Sequence, residues 1–226
     1  MHSAILHDLG HIAYEEAWLL QKDIFNSSIG QKLEHSLPGQ HLLFCEHPHV
    51  YTLGKSAQSS NLLLSEAELE RRNIQVYDIE RGGDITYHGP GQLVAYPIFD
   101  LEQLKLGVRQ FVFNIEQCLI NTLLTYGITS ERIPDRIGIW VGKGTDRERK
   151  IAAIGIKCSR HVTMHGLALN VNTDLGLFEQ IIPCGISDKE VTSMEKELGR
   201  KISMDEIKKE LAKQFSTIFD LNLISK

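Results

Sequence analysis

Three apolar runs, "IGIWVG" (137–142), "KIAAIGIK" (150–157) and "VTMHGLALNV" (162–171), follow one another with little more than the polar turn "KGTDRER" between them. Strand-like runs in direct succession imply an antiparallel meander, and a meander with apolar residues along most of its length needs helices or a second sheet to cover it. Upstream, Ile12, Ala13, Ala17, Leu20 and Ile24 recur at helical spacing and predict a long amphipathic helix from Ile12 to about Leu33. "QHLLFCEH" and "IQVYDI" read as strands, with a short helix between them over "EAELERR". Ser65 with Glu68 three residues on forms a capping box that opens this helix. "QLVAYPIF" is apolar enough for a central strand, with Pro97 at its end. Leu106 to Tyr126 reads as a second long helix with Gly127 as its C-terminal stop. Two more helices close the chain, over about Lys189 to Leu198 and from Ser203, where Glu206 completes another capping box. The expected class is therefore α/β (α+β), a mixed and largely antiparallel sheet flanked by helices.

The 226 residues, 42% hydrophobic, contain no Ser/Gly/Pro-rich linker, charge block or repeat, so one domain spanning residues 1–226 is expected. The first residues lack the pattern of a signal peptide, and no apolar run reaches the roughly 18 residues that span a membrane. The expected location is cytoplasmic, with no membrane partner. Cys45, Cys118, Cys158 and Cys184 are scattered without tight pair spacing, as reduced thiols are. A net charge of −5 argues against nucleic acid as a partner, since phosphate contacts need an excess of basic residues.

"RGGDITYHGPGQ" (81–92) is the least ordinary stretch. Its glycines and proline suit either a tight turn or a close approach to a ligand. A turn alone does not ask for Arg81, Thr86, Tyr87, His88 and Gln92 among them, so a site is the better reading. "GxxxxGK[ST]" is absent and "GGDITYHG" does not match "GxGxxG", which weakens nucleotide binding. Cys45, His47 and His49 alternate, but Pro48 interrupts them and the spacing fits no zinc pattern; "HVTMH" lacks the glutamate of "HExxH". No metal and no cofactor are expected.

"IIPCGI" (181–186) sets Cys184 between Pro183 and Gly185, either as a small hydrophobe in a turn or as a nucleophile at the mouth of a site. A nucleophilic thiol needs a neighbouring base or cation. Lys150, which opens "KIAAIGIK", could be partly desolvated there and serve as that group, or be a solvated strand end. Composition and spacing leave both pairs of readings open.

"RGGDITYHGPGQLVAYPIFDL", "KIAAIGIKCSRHVTMHGLALNV" and "FEQIIPCGI" resemble, in order, the signature blocks of lipoyl(octanoyl) transferases, and "CEHPHVYTLGKS" resembles the segment that precedes them. The resemblance covers most of residues 40 to 195. It implies the biotin/lipoate protein ligase-like fold and an acyltransferase. That enzyme takes an octanoyl group from octanoyl-acyl carrier protein and places it on a lysine of the lipoyl domains of 2-oxoacid dehydrogenases and of the glycine cleavage H protein. It implies Cys184 as the thioester nucleophile and Lys150 as the lysine that tunes it. It also implies substrate binding by Arg81, Gly82, Gly83, Asp84, Ile85, Thr86, Tyr87 and His88, by Ala153, Ile154 and Gly155, and by Gly166, Leu167 and Ala168.

Three expectations follow. Tyr87, Ile154 and Leu167 would line an acyl slot. Lys143, Arg147, Arg149, Lys157 and Arg160 would form a basic surface for an acidic carrier. Regular alternation would put Lys150, Ala152, Ile154, Ile156 and Cys158 on one strand face, making Cys158 a rival thiol. The alternatives are an ATP-dependent lipoate or biotin ligase of the same fold and a non-catalytic protein that binds lipoyl domains.

Overall fold

The meander forms as the spacing predicts in a computed structural model that describes residues 2–182 and 190–226. In chain order the elements are β1 (His2–His11), α1 (Tyr14–Leu33), β2 (Gln40–Glu46), β3 (Val50–Leu53), α2 (Glu66–Arg71), β4 (Gln75–Asp78), β5 (Ile85–His88) and β6 (Gln92–Ile98). They continue through α3 (Val108–Thr125), β7 (Glu131–Ile133), β8 (Arg136–Val141), β9 (Arg149–Ser159), β10 (Val162–Asn170), β11 (Glu190–Val191), α4 (Met194–Leu198), α5 (Met204–Phe219) and β12 (Leu221–Ser225). The large sheet runs β12-β1-β2-β6-β10-β9-β8-β7, with β11 added against β9. From β2 to β7 every neighbouring pair is antiparallel, while β1 lies parallel to both β12 and β2. A small sheet, β4-β3-β5, stands beside it.

Both faces of the large sheet are covered, and the sequence shows how. Along β2 and β6, Leu42, Phe44, Leu93 and Ala95 turn to one face, and Leu43, Cys45, Val94, Tyr96 and Ile98 to the other. The first set meets α3 and α5 through Phe111, Ile115, Leu119, Phe215 and Phe219. The second meets α1 through Ala17 and Phe25. Strands buried on both faces read as continuous apolar runs, which is why "QHLLFCE" and "QLVAYPI" carry little alternation.

Local signals behave as their chemistry requires. Ser65 accepts from the Glu68 amide while the Glu68 carboxylate accepts from the Ser65 amide, closing the capping box on α2. Ser203 caps α5 by accepting from Glu206 N. Pro97 lies one residue before the end of β6. Where its missing N–H interrupts the ladder, His165 of β10 adopts a φ of +62° and donates its own N–H to Gln21 Oε1 of α1 (3.1 Å).

Three features depart from the sequence reading. The helix expected from Lys189 begins only at Met194, capped by Ser193, because Glu190 and Val191 pair in parallel with Arg149 and Lys150. β1 and β12 have no sequence expectation behind them; they form because they pair with each other. Within the Gly-rich stretch, Ile85–His88 is a strand, held by β3. Among the described residues no helix is long and apolar enough to cross a membrane.

Candidate active site

β9 is the frame of the site. Its Lys150 end pairs with β8 on one side and β11 on the other, and further along its Ile156 carbonyl accepts from Gly82 N (3.0 Å). The Gly-rich segment, β8, β11 and the start of α3 thereby surround a cleft of about 440 Å³. Arg81 to Thr86 form one wall and Ala153, Ile154, Gly155 and Ala168 the floor. Val108, Val112, Ile137 and Trp140 form an apolar side, and Lys150 lies among them all.

The Gly-rich wall is fixed from behind. Arg81 Nη2 donates to Thr52 O (2.6 Å) and Thr52 Oγ1 (3.0 Å), which anchors the guanidinium to β3. Asp84 accepts from Asn61 Nδ2 (3.0 Å) and from Ile85 N (2.6 Å), turning the chain into β5. Tyr87 points away into the core of the small sheet, its hydroxyl hydrogen-bonded to His49 Nδ1 (2.7 Å). His88 Nδ1 is hydrogen-bonded to Gln92 Oε1 (2.7 Å), Gln92 Nε2 donates to Asn170 Oδ1 (2.9 Å), and Asn170 Nδ2 donates to Thr192 O (3.0 Å). Gln92 and Asn170 face the cleft, so this chain ties its polar end to β11.

The sequence-predicted residues therefore divide. Lys150, Arg81 to Thr86, Ala153 to Gly155 and Ala168 come together at the cleft, whereas Tyr87, His88, Gly166 and Leu167 stand behind it. Leu167 belongs to the main core and Tyr87 to the small-sheet core, so neither lines the cleft; Ile154 lines it, beside Val108, Val112, Ile137, Trp140 and Phe178. Pro183, Cys184 and Gly185 lie outside the described residues; on either side of them Ile181 and Glu190 line the cleft. Gln92 was legible in the Gly-rich stretch; Trp140, which reads simply as part of a strand, was not.

Strand alternation fails at one place that matters. Ile139 pairs with Ala152, but Trp140 pairs with Lys150, so Ile151 is an extra residue in β9. Ile151 and Ala152 both enter the main core with Ile139 and Val141, and Lys150 moves to the other face beside Trp140. Cys158 stays with the main core and does not line the cleft; burial pushes its thiol up, away from thiolate. Cys45 and Cys118 are fully buried, and burial raises both further.

Of the residues expected to form a basic surface, three are paired with carboxylates. Arg149 is held by both oxygens of Glu197, whose carboxyl burial alone would raise but whose hydrogen bonds with Arg149 and Thr192 hold low. Lys143 pairs with Glu131 (3.4 Å) and Lys157 with Glu80 (3.4 Å), while Arg147 and Arg160 are exposed.

Three buried histidines stand behind the site. Burial pushes His47 down to about 4, and burial, with His47 beside it, takes His88 down to about 3. His165 falls to about 3 through burial and the nearby Arg81 charge. Each is thus neutral in the folded chain but protonates in the unfolded chain below its ordinary value of 6.5. The unfolded state then binds more protons, so stability is full above that value and declines as pH falls toward the depressed ones. The urea midpoint is expected to be clearly lower at about pH 5 than at about pH 7, and equal midpoints would refute this.

Residues 13–216 match the family described as the lipoyl protein ligase A/B catalytic domain. An octanoyltransferase of Cytophaga hutchinsonii is 48% identical over 98% of this chain and 94% of its own. Among solved structures, a bipartite lipoate protein ligase of Thermoplasma acidophilum superposes with a TM-score of 0.74 at 16% identity, over 100% of this chain and 87% of its own. Biotin protein ligase of Aquifex aeolicus superposes with a TM-score of 0.55 at 13% identity, over 97% of this chain and 71% of its own.

Proposed function

The chain belongs to the lipoyl protein ligase A/B catalytic domain family and is an octanoyltransferase; on this premise we propose that it works as one cytoplasmic catalytic domain through a thioester on Cys184. The donor is octanoyl-acyl carrier protein, and the acceptors are lysines of lipoyl domains, including the glycine cleavage H protein. The observation that carries the reading is near-full-length similarity to an octanoyltransferase at 48% identity.

The chemistry balances without a nucleotide. The Cys184 thiolate attacks the donor carbonyl, the new S–C bond replaces the carrier's S–C bond, and the departing thiolate takes a proton from the Lys150 ammonium. In the second step the acceptor lysine amine attacks the acyl-enzyme, a C–N bond forms, the Cys184 S–C bond breaks, and Lys150 takes the amine's surplus proton. A thioester exchanged for a thioester costs little, and the amide that follows is far more stable, so transfer runs forward. Backbone N–H groups near Gly83, Gly155 or Gly185 would receive the oxyanion of each step. The apolar side of the cleft would take the eight-carbon chain.

The test is transfer from octanoyl-acyl carrier protein to an isolated lipoyl domain, followed by intact mass with no nucleotide present. Octanoylation of the domain is the expected result. Octanoylation only with ATP and free octanoate would instead make the chain a ligase.

A further inference from the structure

Trp140 lies outside every stretch that the sequence marks as a site, yet its ring forms part of the cleft wall beside Lys150. We propose that Trp140 is a positioning residue that holds the Lys150 side chain as an ammonium inside the cleft. This rests on the reading of Lys150 as the group that exchanges protons with the nucleophile and substrates.

Four observations converge. The extra residue in β9 brings Lys150 into register with Trp140 and onto its face of the sheet. Lys150 Nζ stands 4.8 Å from the centroid of the Trp140 ring. The ring is locked, since its Nε1 donates to Arg136 O (3.2 Å) and the residue is 2% exposed. Gly138 has a φ of +119°, and a Cβ there would lie 2.6 Å from Ala152 O and 3.5 Å from Lys150 Cε, so β8 carries no side chain where the lysine stem passes.

An aromatic face attracts a cation and has no comparable attraction for a neutral amine. A half-buried ammonium is otherwise pushed toward neutrality. The ring therefore favours the state that can pair with a thiolate and give its proton to a leaving thiol. Arg136 approaches the same ring, with Cζ 5.9 Å from the centroid, but is also drawn to Glu148 (3.5 Å). Among the described residues, the other charged groups lining the cleft are Arg81, Asp84, Asp135 and Glu190. Arg149, beside Lys150 on β9, is taken up by Glu197 of α4.

The experiment is kcat/KM for octanoyl transfer across about pH 6 to pH 10 for Trp140→Leu, Trp140→Phe and Lys150→Met in the full chain, with thermal midpoints measured alongside. Trp140→Leu is expected to lower kcat/KM about tenfold near neutrality and to move the alkaline limb about one pH unit lower; Trp140→Phe, a weaker cation binder, should move it about a third as far. Either folded variant with the limb unmoved overturns the proposal, including one whose activity is uniformly reduced. If Trp140→Leu does not fold, Trp140→Phe carries the test. Full activity in Lys150→Met would instead overturn the underlying reading of Lys150.

Discussion

Cys184→Ser is expected to fold as the parent chain does, to give no octanoyl adduct on intact mass, and to lose transfer by at least about a thousandfold, the order seen when a covalent nucleophile is removed. Serine is the informative replacement because it keeps size and polarity but is hardly ionised near neutrality, so loss measures the thiolate rather than a cavity. Cys158→Ser should retain both adduct and turnover. Cys158 packs into the main core, is raised by burial and does not line the cleft. An adduct that survives Cys184→Ser, or disappears in Cys158→Ser, would move the nucleophile. A chain inactive with either cysteine intact would return the ligase and binding-protein readings to consideration.

Gly166→Ala is the second large effect, and it separates motif from mechanism. The resemblance groups Gly166 with Leu167 and Ala168 as substrate-binding, but only Ala168 of the three lines the cleft. At Gly166, β10 crosses β6 so closely that a Cβ would lie 2.8 Å from Pro97 Cδ and far inside contact distance of Ala95 O. The obstacle is backbone at the centre of the sheet, so nothing nearby can rotate away. Overpacking of this kind is expected to cost at least about 3 kcal/mol and to lower the thermal midpoint by at least about 6 °C. A variant with an unchanged midpoint and a raised KM would show that Gly166 serves the substrate rather than the sheet.

Particular residues show how far the sequence carries. The capping box at Ser65 and the side-chain cap at Ser203 are contained within four residues, so they are legible, although at Ser203 only the hydroxyl's half of the expected box forms among the described residues. The meander is legible because its strands are neighbours in sequence and in space. β1 and β12 pair across nearly the whole chain and have no local signal. Within the site, Lys150 and the Gly-rich wall stand out by composition and resemblance. Trp140 does not, because its role depends on one extra residue in β9 that shifts the pairing. The same shift defeats the alternation that would have aligned Cys158 with Lys150. Leu167 and Tyr87 lie in cores rather than at the cleft for a related reason: an apolar residue on a strand satisfies a core as readily as a ligand.

The bonds that β9 makes have a consequence for redesign. The wall at Gly82 and the strand before Thr192 both hang on its backbone, through Gly82 N to Ile156 O and Thr192 N to Lys150 O. Val108, Val112 and Ile137, which give the cleft its apolar side, come from α3 and β8 instead. Gauge and upholstery are thus separate parts. Substitutions at these three positions can reshape the apolar side of the cleft while the main-chain bonds that tie Gly82 and Thr192 to β9 remain, since no side-chain change removes them.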